Sequence, residues 1–80
     1  MKNIIIKNTK GTVFLPKEFY TEKVIKDSVS DYSQATKCFY RISENYYVIN
    51  FEDKDVDYVI NEFLNYVNSN EFLNLKDGLQ

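Results

Sequence analysis

The chain has 80 residues, of which 44% are hydrophobic and 16% aromatic, and it carries a formal net charge of −2. This apolar content is sufficient for one folded domain with its own core, and it excludes intrinsic disorder over most of the chain. The nearly balanced charge gives no electrostatic reason to expect nucleic acid or anionic lipid as a partner.

The single cysteine and the N-terminal residues bear on where the protein works. One cysteine cannot form an intrachain disulfide, which is typical of a protein in a reducing compartment. The apolar run Ile4–Ile6 is far shorter than a signal-peptide core or a membrane span. We therefore expect a cytoplasmic protein without a membrane segment.

Two short strands are predicted near the N-terminus, at residues 3–7 and 12–15, around the turn residues 8–11. If they pair as a hairpin, Ile5 and Phe14 lie on one face. The opposite face is the predicted core face and carries Ile4, Ile6, Val13 and Leu15.

A helix is predicted over residues 21–33, after Pro16 ends the second strand. Thr21 is the expected N-cap, and Tyr20 and Ile25 occupy the positions of a hydrophobic staple. Apolar residues then follow at helical spacing, which predicts one buried face.

A second hairpin is predicted from strands at residues 37–43 and 46–51, joined by Glu44-Asn45. Asn45 is expected to adopt the left-handed conformation of a tight turn. This register places one set of side chains on the core face: Cys38, Tyr40, Ile42, Tyr47, Ile49 and Phe51. The opposite face would carry Phe39, Arg41, Tyr46, Val48 and Asn50.

The last predicted helix begins at Asp53 or Asp55, and its apolar stripe runs without a miss from Val56 to Val67. The run Asn68–Asn70 interrupts this periodicity. The apolar side chains that follow are off the stripe, which predicts a bend or a new short helix: Phe72, Leu73 and Leu75.

Together these elements predict one α+β domain over residues 1–80, in the order β-β-α-β-β-α. We expect a small antiparallel or mixed sheet of three to four strands, with two helices packed on one face. The core would span about residues 3–67, and residues 70–80 would form an apolar C-terminal tail.

The sequence contains no recognisable catalytic or cofactor-binding equipment. Histidine is absent, and no glycine-rich phosphate-binding motif occurs. Cys38 alternates with core residues, so we expect a buried, inert thiol. Residues 53–57 resemble the first half of a calcium loop, but Tyr58 replaces the turn glycine and Leu64 the bidentate glutamate. We therefore predict no enzyme activity, no cofactor and no metal.

The stretch from Leu15 to about Leu64 resembles a family of small proteins found in His-Xaa-Ser peptide-modification systems. The matching segments are Leu15-Pro16, Tyr20-Thr21, Val24-Ile25, Tyr32-Ser33, Tyr46-Tyr47-Val48 and Asn61-Glu62-Phe63-Leu64-Asn65. The resemblance implies an accessory protein that acts beside radical S-adenosylmethionine maturases, and it supplies no catalytic residue. The middle of the first helix, residues 26–29, and the C-terminal tail depart from the family pattern.

We expect a binding or adaptor module for a protein or peptide partner, with an extended peptide added at a sheet edge near Phe39 and Tyr46. The predicted binding residues are Phe39, Arg41, Tyr46, Val48, Phe72 and Leu73. Two arrangements are open: the apolar hairpin face is free for a partner, or the C-terminal tail folds back and covers it. The alternative is a structural or regulatory small protein that associates with itself, through the apolar tail or the hairpin face opposite the core. Nucleic-acid binding is a weaker one, suggested by aromatic and basic residues within 37–42.

Overall fold

A computed structural model describes the backbone of residues 3–78 and the side chains of residues 3–74. The predicted order of four strands and two helices is confirmed. The strands are β1 (Ile4–Lys7), β2 (Lys10–Pro16), β3 (Lys37–Ile42) and β4 (Tyr46–Glu52), and the helices are α1 (Glu22–Tyr32) and α2 (Val56–Gly78).

The four strands form one sheet in the order β1-β2-β4-β3. Every neighbouring pair is antiparallel, so the mixed-sheet alternative is wrong for the described residues. This order places β2 and β4 in the centre and leaves β1 and β3 as the two edge strands. Because β4 is central, Tyr46 does not lie at a sheet edge, and this part of the prediction is wrong.

The predicted hairpin registers are confirmed. Cys38 pairs with Phe51, and Ile4 pairs with Val13, so the expected side chains share the core face. The turn prediction at Asn45 is wrong, because the described non-glycine residue with positive φ is Asn8, at 59°. Asn8 lies in the β1–β2 turn, where a short polar side chain tolerates the left-handed conformation.

Both helices pack on the same face of the sheet and close one hydrophobic core. Thr21 caps α1 as predicted, since its hydroxyl accepts a hydrogen bond from the N–H of Val24 at 3.4 Å. Phe63 lies at the centre of the core, where Tyr32 and Phe51 contact its ring edge-on at centroid distances of 5.3 and 5.1 Å.

The start of α2 uses both predicted acidic residues. Asp55 occupies the capping position, because its carbonyl accepts the N–H of Val59 at 3.0 Å. The Asp53 carboxylate accepts the N–H of Asp55 at 2.9 Å and the hydroxyl of Thr36 at 2.7 Å. These two hydrogen bonds, with the backbone one the larger effect, lower the pKa of Asp53 below its usual value.

The C-terminal segment is a continuation of α2, so the predicted bend or new short helix is wrong. The polar residues that interrupt the apolar stripe make hydrogen bonds to α1 and the residues just before it. Asn68 accepts from the hydroxyl of Tyr20 at 2.7 Å, and Asn70 donates to the hydroxyl of Ser28 at 3.2 Å. Glu71 accepts from the backbone N–H of Thr21 at 2.6 Å. Polar contacts thus replace apolar packing here, and the helix extends past the predicted core limit at residue 67.

Candidate protein-binding surface

Within residues 3–78 both helices lie on the core side of the sheet, and we call the other side the outer face. Its side chains alternate with those of the core along all four strands. From the register it comprises Ile5, Lys7, Lys10, Thr12, Phe14, Pro16, Lys37, Phe39, Arg41, Tyr46, Val48, Asn50 and Glu52. Four of the six predicted binding residues therefore share this face.

The centre of the outer face is closed by its own side chains. Val48 is only 1% exposed, although both described helices lie on the other side of the sheet, because the cross-strand residues Phe14 and Arg41 flank it. The rings of Phe14 and Tyr46 meet edge-on at 6.1 Å beside it. Val48 is therefore unavailable for direct contact, contrary to the prediction, and Tyr46 is half-buried.

The exposed part of the outer face lies along β3. Phe39 is 59% exposed, and Arg41 is exposed two residues further along the strand. Lys37 precedes them on the same face, and its ammonium lies 3.8 Å from the Glu52 carboxylate. A shallow depression borders this strip, between Phe39 and Asn50. Cation, aromatic ring and cation thus alternate along the accessible side of an edge strand.

The backbone of β3 is open along the same edge. The N–H of Ser43 donates to the carbonyl of Tyr46 at 2.9 Å, which fixes the phase of hydrogen bonding in this hairpin. Along an antiparallel pair, residues that bond to the neighbouring strand alternate with residues that do not. The backbone groups of Arg41 and Phe39 therefore bond to β4, whereas the residues between and beside them direct their N–H and C=O away from it. Among the described residues no backbone group pairs with those outward groups, which belong to Cys38, Tyr40 and Ile42.

The charge of the outer face is opposite to that of the whole chain. The described residues of this face include four cations and one anion, Glu52, which gives them a net charge of +3. The complete sequence carries −2, so positive charge is concentrated on the sheet. The four cations are Lys7, Lys10, Lys37 and Arg41.

The other two predicted binding residues lie elsewhere. Phe72 and Leu73 are exposed near the C-terminal end of α2, which packs on the helix side of the sheet. The structure does not bring them together with Phe39 or Arg41. The alternative in which the tail covers the hairpin face is therefore wrong for the described residues; the side chain of Leu75 and residues 79–80 lie outside them.

The thiol and the carboxylate groups bear on whether the chain could react or bind a metal. Cys38 is 8% exposed, and burial raises the pKa of its thiol to about 11, away from reactive thiolate behaviour. The described residues contain no group of three or more histidine, cysteine, aspartate or glutamate side chains placed to hold a metal. In that same part of the chain, neither helix has an apolar stretch long enough to cross a membrane.

The sequence predicts core positions for two isoleucines that the structure leaves exposed. Ile42 is 48% exposed, because it lies at the end of the edge strand β3. Ile6 is 40% exposed on β1, the opposite edge strand, whereas Ile5 lies on the outer face as the sequence predicts. Only the strand order identifies these edges, and no local pattern in the sequence encodes that order.

Comparisons of the chain with protein-family models, curated protein sequences and solved structures give no match.

Proposed function

We propose that the chain is a non-catalytic binding module that accepts an extended segment of a protein or peptide as a fifth strand beside β3. The observation that carries this proposal is the open backbone of Cys38, Tyr40 and Ile42 on an edge strand. An incoming strand gains hydrogen bonds from these groups and specificity from the alternate side chains.

The side chains around the edge favour recognition over reaction. Phe39 and Ile42 present exposed apolar surface next to the open backbone groups, and Arg41 presents five N–H donors. No histidine is present in the sequence, and the single thiol is buried and held protonated. These features support binding without catalysis and without a cofactor.

The resemblance to accessory proteins of His-Xaa-Ser peptide-modification systems is a second ground for this proposal. Such a protein would hold a peptide or a maturase rather than transform it. The free cysteine is in keeping with work in the cytoplasm. We place the partner segment at β3 whether it belongs to a precursor peptide or to a maturase.

A backbone-directed variant tests this function. Ile42→Pro removes an N–H that points away from β4, so the sheet keeps its own hydrogen bonds. Ile42→Ala is the matched control, because it shortens the same side chain but keeps the N–H. Peptides would be selected from a random phage-displayed library on the wild-type protein and then measured on both variants.

The proposal predicts that selected peptides bind the alanine variant within a few-fold of wild type and lose at least tenfold in affinity for the proline variant. Circular dichroism must show that the proline variant is folded. Equal affinity for both variants, or no peptide recovered from the library, would contradict strand addition at β3.

Self-association through the same edge is the second candidate, and one feature of the strand favours it. If two copies of β3 pair antiparallel with Tyr40 opposite Tyr40, Phe39 lies opposite Arg41 of the other copy, where a cation–π contact can form. Light scattering over a wide concentration range tests this. A wild-type dimer that the Ile42→Pro variant converts to monomer would favour self-association over peptide capture.

A further inference from the structure

We infer that the segment captured by β3 is acidic, with carboxylate side chains at positions i and i+4 and an apolar residue midway between them. This inference rests on the proposed function and specifies the chemistry of its partner. It follows from the alternation of Lys37, Phe39 and Arg41 on the outer side of the edge strand.

The spacing of the two cations sets the spacing of the acids. Lys37 and Arg41 are four residues apart on one strand and therefore about 13 Å apart along it. Residues i and i+4 of an added strand have the same spacing and point to the same side of the sheet, so two carboxylates can lie opposite the two cations. The residue at i+2 then lies opposite Phe39, which favours an apolar or aromatic side chain.

The core side of the same edge disfavours acidic residues. The hydroxyl of Tyr40 donates to the Glu22 carboxylate at 3.4 Å, so a negative charge already lies next to this side of the strand. Ile42 offers apolar surface further along. Positions i+1 and i+3 of the added segment should therefore be uncharged, and β-branched residues suit them best.

The geometry favours a peptide over a single-stranded nucleic acid. Stacking of bases requires open aromatic faces, but Phe14 and Tyr46 are half-buried against each other. Phe39 is the well-exposed aromatic side chain of the described outer face. A nucleic acid would also leave the backbone amide groups along the β3 edge unpaired, whereas an added peptide strand forms hydrogen bonds with them.

The opposite edge is a poorer site for the same segment. β1 has four residues, and its outward backbone groups belong to Ile4 and Ile6 only. Its outer side carries the single cation Lys7 with the apolar Ile5 beside it. A segment with two acids four residues apart therefore finds two matching cations at β3 and one at β1.

Two labelled peptides test the inference by fluorescence anisotropy at low and physiological salt. The acidic probe is Ser-Glu-Val-Leu-Val-Glu-Ser, and the control probe replaces both glutamates by lysine. We expect the acidic peptide to bind at least tenfold more tightly at low salt. That preference should shrink as salt screens the exposed charges.

Charge-reversal variants of the protein test whether the cations of β3 cause the preference for the acidic peptide. Arg41→Glu should weaken binding of the acidic peptide at least tenfold and strengthen binding of the lysine peptide. Lys7→Glu is the control, because it changes the net charge equally on the same face but lies at the opposite edge. It should change either affinity less than threefold.

The outcomes separate this inference from the proposed function. If both peptides bind equally and Ile42→Pro abolishes both, strand addition stands and the preference for acids is refuted. If neither peptide binds at millimolar concentration, or if Ile42→Pro leaves the affinity of both peptides unchanged, strand addition at β3 is refuted as well. Binding of single-stranded oligonucleotide that Arg41→Glu removes, with no peptide binding, would show that the face takes nucleic acid instead.

Discussion

Replacing Phe63 by alanine tests the packing on which the fold depends. Phe63 is fully buried, and its ring meets two aromatic rings edge-on, those of Tyr32 and Phe51. Loss of its transfer free energy, together with the cavity left behind, is expected to cost about 3–5 kcal/mol. A domain of this size has a total stability of about 4–12 kcal/mol. Phe63→Ala should therefore remove a large share of it.

The same helix provides the control. Phe72 is 65% exposed, so Phe72→Ala should change stability by less than about 0.5 kcal/mol. Free energies of unfolding would be measured in urea for both variants. If Phe63→Ala leaves too little folded protein, Phe63→Leu gives a graded loss of about 1–2 kcal/mol, because fewer carbon atoms are removed. A loss below about 1 kcal/mol for Phe63→Ala, or equal losses at the two positions, would refute the helix-on-sheet packing.

Three further predictions concern Gly11, the thiol of Cys38 and the contact of Glu71 with the start of α1. Gly11→Ala should cost about 1–3 kcal/mol in thermal unfolding, because the new Cβ would lie 2.5 Å from Cδ1 of the buried Ile60; an unchanged melting temperature would contradict this. Cys38 should react slowly with a thiol reagent in the native state and rapidly in urea. The pKa of this thiol is about 11 in the folded protein against 9.0 in the unfolded chain, so its contribution to folding stability is intact below pH 9 and is lost as pH rises towards 11. Rapid labelling of the native protein at neutral pH would contradict burial of the thiol. Glu71→Ala should cost about 0.5–2 kcal/mol in urea, since its carboxylate accepts the Thr21 N–H at the start of α1, and no loss would mean that this contact is not stabilising.

The elements were predictable where each depended on a local pattern. The cap at Thr21 and the stripe from Val56 to Val67 rest on side chains within one or two helical turns. The β3–β4 register follows from the two-residue loop and the alternation of side chains, and every predicted pair was found. For these features the tertiary structure adds little to what neighbouring residues already specify.

The failures share a different cause, which is contact between residues distant in sequence. The run Asn68–Asn70 interrupts the apolar periodicity and so predicts a bend, but its side chains bond to residues more than 40 positions away. The exposure of Val48 was misjudged because its cover comes from Phe14 on another strand, across a pairing with no local signal. The open edge at Ile42 depends on strand order in the same way.

The cations on β3 also bear on which partner an open edge accepts. Exposed edge strands invite pairing with other copies, and charged side chains are one means of preventing it. Outward backbone groups allow self-pairing only in registers that place even-numbered residues opposite each other. With Tyr40 opposite Cys38, Lys37 meets Arg41 of the other copy; with Tyr40 opposite Ile42, the two Arg41 side chains meet. Both of these registers place like charges together, whereas registers centred on Cys38, Tyr40 or Ile42 do not. An acidic segment places carboxylates opposite both cations, of which Lys37 is shared with Glu52. The two cations that disfavour these self-pairing registers therefore favour a carboxylate-bearing strand.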